Sequence, residues 1–142
     1  MLHAAALVGV ARGALDVARA YALEREQFGV PIGSFQAVKH LLADMYVRVE
    51  LARAEGWAAA ALVADPRAGD PERAASAAKL LAGEAGLANA RAAVQILGGM
   101  GFTWDMLPHH FLKRSWVLEH CFGTAPSHAA HLGTALGEEV RV

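Results

Sequence analysis

Two stretches of this sequence have residue types and spacing suited to holding an anionic ligand. Tyr21 to Gln36 reads YALEREQFGVPIGSFQ, with an arginine at the end of one expected helix and a glutamine in the first turn of the next. Arg25 is permanently charged and its planar fork matches phosphate oxygens. At Gln36 the free N–H groups of a helix start also favour an anion. An ordinary helical hairpin carrying a surface arginine would show the same spacing. Gln95 to Phe102 reads QILGGMGF, with three glycines in four positions. A backbone without side chains lets a flat or charged ligand approach its amides, although a helix stopped by glycine reads the same way.

Other reactive side chains are less organised. His109, His110, His120, Cys121, His128 and His131 lie close in sequence, and His128 with His131 has helical i, i+3 spacing. Zinc uses such ligands, but no second pair stands at ligand spacing, so no metal is expected. These histidines read as surface or satisfied groups. Cys121 reads as a small buried hydrophobe, and Trp57, Trp104 and Trp116 as core or interface anchors.

The elements that must position these groups are helical. Alanine, the strongest helix former, is interleaved with Leu, Arg, Glu and Met, and strand-like alternation is scarce. A first helix is expected over about Leu2 to Glu26, with the seam Leu7, Val10, Ala14, Val17, Tyr21 on one face. Gly29, Pro31 and Gly33 break it. Ser34 is the expected N-cap of a second helix reaching Ala64, with the seam Phe35, Val38, Leu42, Met45, Val49, Ala52. Asp70 with Pro71 starts a third, carrying Leu80, Leu87 and Val94 among alanines and ending at Gly98 and Gly99. A fourth spans about Leu107 to His120, and a last one ends near Gly137. The fold class expected is all-α, an antiparallel four-helix bundle with a short extra C-terminal helix and no sheet.

Composition narrows the function classes. The 142 residues suit one domain, and 13 Lys and Arg against 14 Asp and Glu give a formal charge of −1, too neutral for a nucleic-acid face. The longest apolar run, Trp57 to Ala64, is far short of the ~20 residues that span a bilayer. One cysteine fits a reducing cytoplasm. The chain opens inside a helix, as an excised domain would.

Together the two stretches resemble the C-terminal helical domain of acyl-CoA dehydrogenases. The family pattern Y-A-x-x-R-x-x-F-G-x-x-[IL]-x-x-F-Q is matched by Tyr21, Ala22, Arg25, Phe28, Gly29, Ile32, Phe35 and Gln36. Its second pattern, Q-x-x-G-G-x-G-[FY], is matched by Gln95, Gly98, Gly99, Gly101 and Phe102. The resemblance covers essentially the whole chain. It implies an FAD-binding and oligomerisation domain over residues 1–142, the last of three domains in a tetrameric flavoenzyme. Such an enzyme dehydrogenates acyl-CoA thioesters at the α,β bond. Arg25 and Gln36 are implied to touch the FAD of a neighbouring subunit. Gln95, Ile96, Leu97, Gly98 and Gly99 would hold its pyrophosphate and adenosine end, and Thr124 would touch it as well.

The resemblance fails at the catalytic base. The family's I-Y-E-G-T is here His120-Cys121-Phe122-Gly123-Thr124, and Phe122 has no titratable group. Glu119, about one helical turn away, is not expected to be the base. By alignment, the position used by some members falls just before Met1. No catalytic residue is therefore assigned, and this chain alone is expected to be inactive. The segment FTWDMLPHHFLKR and the following FGTAPSHAAH resemble the actinobacterial steroid-degrading branch, whose members form tetramers of unlike subunits. The homo- or hetero-oligomeric partner is thus left open. The rival reading is a non-catalytic assembly subunit that stabilises an active dehydrogenase.

Overall fold

The structure is a computed structural model, and it describes residues 1–139. Five helices carry them: α1 (Leu2–Glu24), α2 (Gln36–Ala64), α3 (Pro71–Leu97), α4 (Pro108–His120) and α5 (Ala125–Glu139). The class is the expected one. The central helix is α3, which packs against each of the other four.

The expected absence of a sheet is corrected. Strands β1 (Glu26–Gln27) and β2 (Val30–Pro31) pair antiparallel, with Gln27 opposite Val30. Their two-residue turn places Phe28 at φ 54° and Gly29 at φ 76°. Two positive φ values in succession make the turn that matches strand twist, and α1 accordingly stops at Glu24.

Alanine decides which faces are buried. In α1 the buried residues are Ala4, Leu7, Ala11, Ala14, Leu15, Ala18 and Ala22. Val10, Val17 and Tyr21, placed on the seam by their size, are only half-buried. The contact face is rotated because small side chains let α1 approach α3 closely. The matching face of α3 is Ala74, Ala78, Ala82, Ala85, Asn89 and Ala93, while Leu80 and Leu87 lie half-buried at its flank. Fully buried Asn89 binds three helices together. Its Nδ2 donates to the carbonyls of Ala11 (3.3 Å) and Met45 (2.9 Å).

The α3 start follows expectation: the Asp70 carboxylate accepts from the amides of Glu72 (2.9 Å) and Arg73 (3.1 Å), with Pro71 at the first position. The α2 start does not. Ser34 lies in a 3-10 turn, its hydroxyl donating to the Pro31 carbonyl at 2.7 Å, and Phe35 takes the cap position. The tryptophans are not core residues: Trp57, Trp104 and Trp116 are all exposed. Cys121 is half-buried, its thiol donating to the Val117 carbonyl at 3.2 Å.

Candidate functional site

The C-terminal end of α1 meets the C-terminal end of α3 at a groove of about 450 Å³. Its walls are Tyr21, Arg25, Gln27, Ile32 and the run Ile96–Met100. Seventy residues of intervening chain therefore return to place Arg25 beside Ile96, Leu97, Gly98 and Gly99, five of the eight residues expected at the cofactor. The Arg25 backbone is fixed at both polar groups, its amide donating to Tyr21 and its carbonyl accepting from Ile32, each at 2.8 Å. Its side chain is exposed, and no carboxylate pairs with it among the described residues.

The three glycines divide the labour. Gly98 sits at φ 60°, and a Cβ at Gly98 or Gly99 would meet nothing within 4 Å. This backbone is open to a ligand. Gly101 serves packing instead: a Cβ there would lie 2.9 Å from the Val94 Cα and carbonyl oxygen. A guanidinium with no partner carboxylate among the described residues, beside a backbone without side chains, fits a pyrophosphate, the group the resemblance implies. Gln36 and Gln95 are exposed nearby in sequence, at the α2 start and one residue before Ile96, but neither lines the groove.

Thr124 lies elsewhere. It caps α5, its Oγ1 accepting from the Ser127 amide (3.4 Å) and its carbonyl from the His128 amide (3.0 Å). It belongs to the turn that carries Phe122, which borders a second cavity of about 410 Å³. Met1–Ala4, Ala75, Ser76, Lys79, Phe122 and His128 line it. Phe122 and the first turn of α1 thus face one space. The Phe122 ring lies 4.5 Å from that of His3. No carboxylate of the described residues is in the lining. The Glu119 side chain is turned away into a structural role, its Oε1 accepting from the Ala125 amide at 2.8 Å.

Sequence reasoning missed Lys79. It is 5% exposed, and its Nζ donates to the carbonyls of Glu119 (3.0 Å) and Gly123 (2.9 Å). Burial lowers its pKa from the ordinary lysine value, against an opposing pull from the Glu119 carboxylate. A lone charge at i+3 from Ser76 and i−3 from Ala82, on a stripe of buried small residues, was the available signal. His3 was missed for want of any motif. No group of His, Cys, Asp or Glu able to hold a metal occurs among the described residues. A larger groove of about 510 Å³ between α1 and α2 contains none of the expected site residues.

Known proteins resemble this chain in sequence and in fold. The acyl-CoA dehydrogenase FadE34 of Mycobacterium tuberculosis is 48% identical over 112 residues, covering 79% of this chain and 16% of that protein. The structure matches the Tcur3481-Tcur3483 steroid ACAD with a TM-score of 0.91 and 35% identity, over 99% of this chain and 38% of that one. It matches the ChsE4-ChsE5 complex from Mycobacterium tuberculosis with a TM-score of 0.88 and 35% identity, over 96% of this chain and 36% of that one. The chain thus spans well under half the length of these relatives. A family model described as the C-terminal domain of acyl-CoA dehydrogenases matches residues 1–137. The chain belongs to the acyl-CoA dehydrogenase family and corresponds to its C-terminal domain.

Proposed function

We propose that this chain is the FAD-binding and oligomerisation domain of an acyl-CoA dehydrogenase, acting in the cytoplasm on acyl-CoA thioesters as part of a homo- or hetero-oligomer. The observation that carries the reading is the convergence of Arg25 with Ile96–Gly99 on one open groove. There, the guanidinium binds phosphate oxygens while Gly98 and Gly99 let the same group approach the backbone without side chains between. Gln36 and Gln95 extend these contacts toward the adenosine end. Thr124, at the other end of the domain, contributes from the Phe122 turn. The α,β-dehydrogenation itself needs a hydride acceptor, which a bound flavin supplies.

Flavin absorbance of the complete purified protein tests this reading. Arg25→Ala is expected to weaken FAD binding ten- to hundredfold, because a charge-assisted contact to phosphate contributes about 1.5–3 kcal/mol. Unchanged flavin content in that variant removes Arg25 from the site.

A second reading concerns the proton. With phenylalanine at the family's base position and no carboxylate of the described residues in the cavity lining, this domain does not supply the base. The carboxylate comes from a preceding segment or from a partner subunit, and this domain then supports an active neighbour. The steroid branch, with its paired unlike subunits, is the proposed setting. Turnover measured with and without the partner's protein distinguishes the two cases.

A further inference from the structure

The turn between α4 and α5 holds two successive left-handed residues, Phe122 at φ 60° and Gly123 at φ 97°. Glycine takes that conformation freely, but a phenylalanine does so only when its surroundings impose it. The surroundings are polar and specific. The His128 Nε2 lies 3.1 Å from the Phe122 carbonyl oxygen, and Glu119 accepts from Ala125 on the far side. Lys79, reaching in from α3, holds the carbonyls of Glu119 and Gly123, the two ends of the segment that contains Phe122. One buried ammonium therefore closes this segment into a loop. The Phe122 ring is held outward, 80% exposed yet against His3. Lys79, Phe122 and His3 all border the same cavity.

The geometry points to Lys79 as a positioning residue: by clamping Glu119 and Gly123 it sets the Phe122 ring against His3 and so fixes one wall of the cavity. This goes beyond the function proposed above and does not depend on the flavin groove at Arg25. A lysine that merely pinned α4 to α3 would stabilise the fold without determining where the Phe122 ring lies.

The His3 ring reports the difference. Its carbon-bound protons lie within the ring current of Phe122, so their NMR shifts measure the distance between the two rings. Phe122→Leu supplies the reference without that current. In Lys79→Met the His3 resonances are expected to move more than half of the way from the wild-type to the Phe122→Leu position. A smaller movement overturns the proposal, whatever happens to the melting temperature. If Lys79→Met does not fold, Lys79→Ala, which likewise removes the donor, is judged by the same criterion. The measurement needs neither FAD nor acyl-CoA. A failure here is thus distinct from a failure of flavin binding in Arg25→Ala.

Discussion

The two ends of α1 look onto cavities of similar size, about 450 and 410 Å³, built by opposite means. At the C-terminal end the site is made by omission. Gly98 and Gly99 present no side chains, and Arg25 presents a cation without a partner carboxylate. At the N-terminal end the site is made by tethering. Lys79, Glu119, Thr124 and His128 each hold a backbone group of the Phe122 turn or of the helix it leads into. The first end keeps the family's residues and suits a charged ligand that brings its own oxygens. The second carries a phenylalanine at its turn and, among the described residues, no carboxylate in its lining. Under the proposed function, cofactor binding and proton transfer are therefore separable within one small domain.

The largest effect that would break this contrast is expected at Gly101. A valine there collides with the Val94 backbone, and overpacking against backbone costs roughly 3 kcal/mol. Gly101→Val should lower the melting temperature and disrupt the Arg25 groove while leaving the His3 resonances in place. A melting temperature equal to wild type would contradict the close approach. A smaller effect belongs to the opposite end. Asp70→Ala removes the cap of α3, whose early turns line the Phe122 cavity, and should cost about 1 kcal/mol. Hydrogen exchange should quicken in the first turns of α3 and not at Ile96 or Leu97.

Glu119→Gln sharpens the contrast by doing little. The amide oxygen can still accept from Ala125, so stability should change by less than about 0.5 kcal/mol. Turnover of the complete enzyme should barely move. A fall of several orders of magnitude with FAD retained would make Glu119 the base after all. The smallest effect is pH-dependent and centred on His109, which is 6% exposed, with neither ring nitrogen hydrogen-bonded. Burial lowers its pKa, and His110 and Lys113 lower it further, against an opposing pull from the Met106 backbone. On acidification below the ordinary histidine range the unfolded chain takes up a proton that the folded chain resists. Stability should therefore fall as pH drops from that range through the lowered value. His109→Phe should flatten this part of the pH–stability curve, and an unchanged slope would assign it to another group.

Much of this was legible in the sequence. The start of α3 was written in Asp70-Pro71 and its end in Gly98, because capping is local chemistry. The pairing of Arg25 with the Gly98 turn was legible only through the family resemblance, whose two motifs contain them both. The buried face of α1 was not. Size favours Val10, Val17 and Tyr21 when apolar residues are counted, whereas close approach to α3 favours Ala11, Ala18 and Ala22. The hairpin was hidden because Phe28 stands where Asn or Gly would announce such a turn. Lys79 was hidden for a different reason. Its partners are backbone carbonyls 40 and 44 residues away, and carbonyls leave no trace in residue type.

Asn89 has a consequence beyond holding three helices together. Alanine surfaces repeat: moved by one turn along its axis, α1 would meet α3 with nearly the same small side chains. Packing alone therefore discriminates poorly between one axial phase and the next. A single amide that must find the carbonyls of Ala11 and Met45 at once is not periodic, and a lone buried asparagine is a known device for fixing register. Asn89 acts as the index mark on an otherwise unmarked ruler. It sets how far α1 extends at either end, and so whether Arg25 and His3 can reach their respective cavities at the same time.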